Sequence, residues 1–129
     1  MHTTLDMLGQ VPLFAGCSRE DLETVARLAD EVDVPAGHAL TREGASGREF
    51  VVLLDGAAVV ERGGEALATL GPGDFLGEIA LLMRAPRTAT VTTTAPSRLL
   101  VLTDRAFREL TDRIPAMAGR AWSATAARF

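Results

Sequence analysis

Turn-forming residues divide the stretch between Asp30 and Thr103 into short segments. The segments between the turns are rich in apolar and β-branched residues, which favour strands. Many short strands at this spacing predict an antiparallel roll or a sandwich. The turn sequences are Pro35-Ala36-Gly37, residues 43–47, Asp55-Gly56, Arg62-Gly63-Gly64-Glu65, Gly71-Pro72-Gly73-Asp74 and Ala95-Pro96-Ser97.

The segments between these turns are the predicted strands. Asp55-Gly56 and Gly63-Gly64 are interpreted as hairpin turns, because Asp-Gly and Gly-Gly adopt the left-handed conformations that tight hairpins need. The predicted strands are residues 31–34, 39–42, 50–54, 57–61, 66–70, 90–94 and 98–103.

Helical patterns flank this region on both sides. Ser18 is a good N-cap, and Asp21 lies three residues on, near the positive end of the helix dipole. The apolar residues that follow share one helical face: Leu22, Val25, Ala26 and Ala29. Residues 8–14 are expected to pack beside this helix, and Pro12 breaks any long helix there.

Two further helices are predicted after the last strand. Asp104 is the expected cap of a helix that carries Phe107, Leu110 and Ile114, and Pro115 opens a second helix. The apolar stripe of that second helix comprises Ala118, Trp122, Ala126 and Phe129. The sequence therefore predicts a mainly β fold with flanking helices, in which a jelly-roll-like antiparallel β-roll, or double-stranded β-helix, follows an N-terminal helix. One domain is expected over 1–129, with helical segment 1–30, roll 31–103 and C-terminal helices 104–129.

Composition limits the classes of function. The chain has 129 residues, 47% of them hydrophobic, so it can form a core, and its net charge of −4 argues against nucleic acid as a partner. A single cysteine, Cys17, forms no internal disulfide and suggests a reducing compartment. No secretory signal is visible, and the longest apolar runs, 50–54 and 79–83, are too short to span a bilayer. A cytoplasmic protein with no membrane partner is the expectation.

The segment 75–91 interrupts the series of strands. Gly77 permits a close backbone approach or an unusual dihedral angle, and residues 78–82 favour a short helical turn whose first amides can donate to an anion. Arg87 follows a loop at Pro86, and its planar guanidinium matches two phosphate oxygens. Glu78 is a carboxylate near the same place, which fits an anion site if it accepts a hydrogen bond from a hydroxyl of the same ligand, such as a ribose 2′-hydroxyl.

The run Gly-Glu-Ile-Ala-Leu-Leu at 77–82, followed by a short loop and Pro-Arg-Thr-Ala-Thr-Val at 86–91, resembles the phosphate-binding cassette of cyclic-nucleotide-binding domains. Such domains occur in the catabolite activator family, in protein kinase A regulatory subunits and in nucleotide-gated channels. Gly44, Gly56 and the sequence from Gly71 to Phe75 match the turn positions of that family, so the resemblance covers roughly the whole chain.

The resemblance implies a role for each residue of the cassette, 75–91. Glu78 would accept from the ribose 2′-hydroxyl and Arg87 would pair with the cyclic phosphate. The hydroxyl of Thr88 is compatible with cGMP, although bacterial members with a hydroxyl here also use cAMP. Trp122 and Phe129 are candidates for a lid over the base. The remaining residues expected to line the sugar and the phosphate are Gly77, Ile79, Ala80 and Ala89.

The implied function is that of a sensor that binds cAMP, or cGMP, without a cofactor and relays occupancy through its C-terminal helices. Three alternatives remain: the sensor of a transcription regulator, the sensor of an enzyme or channel, and a roll without ligand that serves in protein contacts. No DNA-binding domain is expected within this chain, and the partners considered are a second copy of the chain, in a homodimer, or an effector in trans, with a monomer equally expected. Metal and catalytic sites are not expected, because His2 and His38 are isolated and no nucleophile and base are paired.

Two structural alternatives apply to the central residues. Arg87 could form only a surface ion pair, and Glu78 could only favour a helix N-terminus. Trp122 could be a packing residue rather than a lid.

Overall fold

The computed structural model describes residues 4–44, 49–77 and 89–120. The strands are β1 (Asp30–Val34), β2 (Ala39–Thr41), β3 (Glu49–Asp55), β4 (Ala58–Arg62), β5 (Glu65–Leu70), β6 (Phe75–Leu76), β7 (Thr90–Thr93) and β8 (Ser97–Thr103). The helices are α1 (Thr4–Gly9), a 3₁₀ turn (Pro12–Phe14), α2 (Arg19–Leu28) and α3 (Asp104–Arg113). Helical conformation resumes over 115–120, and this segment is called α4.

The strands form two four-stranded antiparallel sheets. The first has the order β1-β8-β3-β6, and the second has the order β2-β7-β4-β5. Consecutive strands repeatedly lie in different sheets, which is the pattern of a roll. The predicted mainly β fold with flanking helices is confirmed.

The central strands of the first sheet are buried on both faces. In β3, Val51 and Leu53 point into an apolar cluster between the two sheets, whereas Phe50 and Val52 belong to a second cluster under the helices. Phe50 stacks on Phe107 of α3 with ring centroids 4.6 Å apart. Each such buried side chain stabilises the fold by about 1.5–3 kcal/mol. This two-sided burial explains why residues 50–54 of β3 are an unbroken apolar run.

The N-terminal helix begins where the sequence predicts. Ser18 Oγ accepts from the Asp21 N–H at 3.1 Å, and Asp21 Oδ2 accepts from the Ser18 N–H at 3.4 Å, which together form a capping box. The structure adds two elements that the prediction lacked, the short helix α1 before Pro12 and the 3₁₀ turn Pro12–Phe14. Leu8 and Phe14 are buried beside α2, as expected.

One of the two predicted hairpins is correct and the other is wrong. Gly63 and Gly64 both have positive φ, at 59° and 79°, and join β4 to β5 with Arg62 opposite Glu65. Gly56 also has a positive φ, of 109°, but β3 pairs with β8 and β6 whereas β4 pairs with β5 and β7. The turn at Gly56 therefore passes the chain from one sheet to the other, because both edges of β3 already have partners.

The first C-terminal helix agrees with the prediction except at its cap. Thr103 is the N-cap of α3, since its Oγ1 accepts from the Ala106 N–H at 3.1 Å, and Asp104 lies one position later, in the first turn. Phe107 and Leu110 are buried as predicted.

Helical conformation resumes at Pro115. In this second helix, Met117 is buried and the predicted Ala118 is half-buried, and the rest of the predicted stripe, Trp122, Ala126 and Phe129, lies outside the described residues. No helix in the described ranges is long and apolar enough to cross a membrane.

Candidate functional site

The predicted cassette, 75–91, begins with β6, which is held at the edge of the first sheet. Phe75 pairs with Val52 and Leu76 pairs with Val51, and both β6 side chains are buried. Gly77 follows with a φ of 97°, a conformation that L side chains rarely adopt. The requirement for glycine at position 77 is therefore conformational.

A hydrogen-bonded turn leads into β6. Asp74 Oδ2 accepts from the Gly71 N–H at 2.8 Å, and the Asp74 N–H donates to the Gly71 carbonyl at 3.1 Å. Leu53 then binds this turn twice: its N–H donates to the Asp74 carbonyl and its carbonyl accepts from the Gly73 N–H, both at 2.8 Å. The turn 71–74 is thus fixed to β3 immediately before the cassette begins.

The chain leaves the cassette into β7, at the other sheet. Ala89 is only 5% exposed. It lies with Leu76, Val91 and Val51 in the apolar cluster between the sheets. The two ends of residues 77–89 are therefore anchored in one apolar cluster, and the segment carries the chain from the first sheet to the second.

Two side-chain hydrogen bonds hold the end of the cassette, and a third ties one of the partners to the β4–β5 hairpin. Thr41 Oγ1 donates to the Ala89 carbonyl at 3.0 Å, and the Glu43 N–H donates to Thr90 Oγ1 at 2.9 Å. The Glu43 carboxylate accepts from the Gly63 N–H at 2.8 Å. Sequence reasoning missed these contacts because the partners are 20 to 48 residues apart and no local pattern marks them.

Of the predicted binding residues, Gly77 and Ala89 lie at the two ends of the segment, as just described. The others lie outside the described residues and stay predictions: Glu78, Ile79, Ala80, Arg87 and Thr88, together with the candidate lid residues Trp122 and Phe129.

Among the described residues, the two groups with shifted pKa values, Cys17 and Arg98, lie outside the cassette. Burial, followed by the charge of Asp21, raises the pKa of the Cys17 thiol. A hydrogen bond from Arg98 to Asp33 at 3.1 Å raises the pKa of the exposed guanidinium. No group of three metal-ligating side chains occurs within 4–44, 49–77 and 89–120. The described residues thus anchor the backbone at both ends of the segment 77–89.

Comparison with known proteins gives consistent matches. A family model described as "Cyclic nucleotide-binding domain" matches residues 31–113. Over 112 residues the chain is 34% identical to the cAMP-dependent protein kinase regulatory subunit of Mycosarcoma maydis, a match that covers 80% of this chain and 21% of that protein.

Solved structures show the same likeness. The regulatory domain of Toxoplasma gondii PKA, solved with cAMP, is similar with a TM-score of 0.74 at 33% identity, over 83% of this chain and 42% of that one. The catabolite activator protein of Thermus thermophilus is similar with a TM-score of 0.78 at 28% identity, over 91% of this chain and 57% of that one. The chain spans less than two thirds of the length of each of these proteins.

Proposed function

The chain belongs to the cyclic nucleotide-binding domain family, and we propose that it binds cAMP through residues 77–89 and reports occupancy to a partner. One observation carries the proposal: the family match over 31–113 includes the whole cassette sequence, and Gly77 and Ala89 at its ends are built into the fold. A ligand held there can bias the structure, because both sheets converge on the segment.

Two charged residues of the segment, Arg87 and Glu78, have proposed tasks. Arg87 pairs with the cyclic phosphate, since a guanidinium forms two parallel hydrogen bonds to phosphate oxygens. Glu78 accepts a hydrogen bond from the ribose 2′-hydroxyl. The backbone and small side chains complete the contact with sugar and phosphate, at Gly77, Ile79, Ala80, Thr88 and Ala89.

The proposed base is adenine. The names of two relatives support it: the Mycosarcoma maydis protein is a cAMP-dependent kinase subunit and the Toxoplasma gondii domain was solved with cAMP. Thr88 offers a hydroxyl that could also serve guanine. Parallel titrations with cAMP and cGMP rank the two ligands, and a tighter Kd for cGMP would replace the adenine assignment.

The proposed relay runs through the C-terminal helices. Leu110 and Met117 are buried in the cluster that also contains Phe14 of the N-terminal segment. Arg120 Nη1 donates to the Leu13 carbonyl at 3.3 Å, which ties α4 to the 3₁₀ turn. A nucleotide that binds two arrangements of α4 unequally would shift their populations. The receiver is proposed to be an effector in trans, another part of a longer protein, or a second copy of the chain.

Arg87→Ala tests the phosphate contact, and Arg84→Ala is its matched control. Both variants remove one arginine from the same segment, but only Arg87 is assigned to the ligand. A charge-assisted hydrogen bond contributes about 1.5–3 kcal/mol, so Arg87→Ala should raise the calorimetric Kd for cAMP about 10- to 150-fold. Arg84→Ala should leave the Kd within about twofold of wild type. Equal Kd values for Arg87→Ala and wild type would contradict the assignment.

A ligand variant tests the ribose contact. Glu78→Gln should raise the Kd for cAMP. It should change the Kd for 2′-deoxy-cAMP little, because that ligand lacks the hydroxyl whose hydrogen bond Glu78 is assigned to accept. Calorimetry of both proteins with both ligands completes the cycle. Equal losses for the two ligands would place the effect of Glu78 elsewhere than the 2′-hydroxyl.

A further inference from the structure

Side-chain hydrogen bonds continue the pairing of β2 with β7 beyond the end of the backbone register. The last backbone pair is Thr41 with Val91. Past it, Thr41 Oγ1 donates to the Ala89 carbonyl at 3.0 Å and the Glu43 N–H donates to Thr90 Oγ1 at 2.9 Å. On the side that faces β2, the start of β7 is therefore held by these hydrogen bonds, whereas on its other side Thr90 still pairs with Glu61 of β4.

The Glu43 carboxylate adds a third segment to this contact. It accepts at 2.8 Å from the N–H of Gly63, at the tip of the hairpin between β4 and β5. Gly63 has a φ of 59° and lies in the two-residue turn beyond the last pair of the hairpin, Arg62 with Glu65. We call the set Thr41, Glu43, Gly63, Ala89 and Thr90 the polar clamp.

The bond from Thr41 should be the strongest part of the polar clamp. Thr41 is 8% exposed and Ala89 is 5% exposed, so water cannot readily replace the hydroxyl if it is lost. A buried carbonyl without a donor costs more than the average net value of a hydrogen bond. Glu43 is exposed, and its bonds compete with solvent.

We propose that the polar clamp positions the phosphate-binding end of the cassette by fixing the chain immediately after Arg87. This inference rests on the proposed function, because it assigns the clamp a task in nucleotide binding. Two peptide units separate Arg87 from Ala89, a reach of at most about 7 Å. An anchor this close would limit the positions and directions that the Arg87 side chain can adopt. Thr41 and Glu43 are positioning residues, and neither is assigned a contact with the nucleotide.

Two variants break the clamp and two conserve it. Thr41→Val removes the hydroxyl at nearly constant volume, whereas Thr41→Ser retains it. Glu43→Ala removes the acceptor for Gly63, whereas Glu43→Gln retains a carbonyl oxygen there. Thr41→Val should raise the calorimetric Kd for cAMP about three- to tenfold, the equivalent of one net hydrogen bond. Glu43→Ala should raise it less, about threefold, because the Glu43 carboxylate is exposed and its backbone N–H keeps the bond to Thr90. The conserving variants should stay within about twofold of wild type.

Matched controls come from strands that neighbour the clamp. Thr92→Val makes the same chemical change as Thr41→Val on the neighbouring strand β7, and Glu65→Ala removes an exposed glutamate from the hairpin that Glu43 contacts. Both controls should bind cAMP within about twofold of wild type. Thermal unfolding of every variant establishes that binding is compared between folded proteins.

A double-mutant cycle with Arg87→Ala separates positioning from general support of the fold. If the clamp acts through Arg87, Thr41→Val should cost about twofold or less in the Arg87→Ala background. A full loss in that background would overturn the proposal, and so would unchanged binding by both Thr41→Val and Glu43→Ala in a chain whose wild type binds cAMP. Failure of the wild type to bind any cyclic nucleotide would overturn the proposed function and the clamp's role together.

Discussion

Gly56→Ala is expected to destabilise the chain by about 2–6 kcal/mol. A φ of 109° strains any residue with a side chain, which costs about 1–3 kcal/mol. The new Cβ would also lie 2.7 Å from the Ser97 Cβ and 2.8 Å from the Ser97 Cα. Ser97 is 5% exposed and pairs with Val34 in β1, so its backbone cannot withdraw freely. Forced overpacking of this kind lowers the stability by about a further 1–3 kcal/mol.

Two other glycines separate strain from collision. Gly37 has a φ of 82° and nothing within 4 Å of a built Cβ, so Gly37→Ala should show the backbone cost alone, about 1–2 kcal/mol. Gly71 has open space and no left-handed φ, so Gly71→Ala should change stability by less than about 1 kcal/mol. Scanning calorimetry measures the Tm of the three variants, which should fall by about 4 °C for each kcal/mol of destabilisation in a chain of this size. A Tm for Gly56→Ala no lower than that of Gly37→Ala would refute the argument from Ser97.

Two further predictions concern other parts of the roll and the N-terminal segment. Thr93 is 2% exposed, and its Oγ1 donates to the Pro35 carbonyl at 2.7 Å and accepts from the His38 N–H at 2.9 Å. Thr93→Val should therefore lower the free energy of unfolding, measured with urea, by about 1–3 kcal/mol. A loss no larger than that of Thr92→Val would contradict this. Because burial and Asp21 raise the pKa of Cys17 and Arg120 lowers it, alkylation of the thiol should titrate above the range of a free cysteine, and Arg120→Ala should raise the midpoint further. A midpoint in the free range, or one lowered by the substitution, would contradict the second prediction.

Features formed by neighbouring residues could be predicted from the sequence. The capping box of α2 joins Ser18 and Asp21, and the turn at Gly63 and Gly64 needs left-handed conformations that glycine adopts easily. In both, the residues that make the structure are the residues that form the motif. The alternation that gives short strands is equally local, and so the roll was predictable as a class of fold.

Features decided by distant partners were predicted wrongly or missed. Asp55-Gly56 has a hairpin sequence, but β3 is already paired on both edges, and the chain must cross to the second sheet. Thr103 rather than Asp104 caps α3, because either residue suits the position and the register of β8 decides between them.

The candidate site divides in the same way. The cassette sequence identifies the binding segment and assigns Glu78 and Arg87, and these assignments stay predictions. Thr41 and Glu43 carry no motif, and only the pairing of β2 with β7 brings them to the end of the cassette. A resemblance between sequences can find the residues proposed to touch a ligand, whereas the residues that position them are visible only in the folded chain.

Calorimetric titration of the ligand-free chain with cAMP tests the central claim most directly. The protein is first unfolded, dialysed and refolded, so that no nucleotide retained from expression is present in the calorimeter. We expect saturable binding with one site per chain, and stabilisation against heat that grows with ligand concentration. A refolded chain that binds neither cAMP nor cGMP would contradict the account and would favour a roll that serves only in protein contacts.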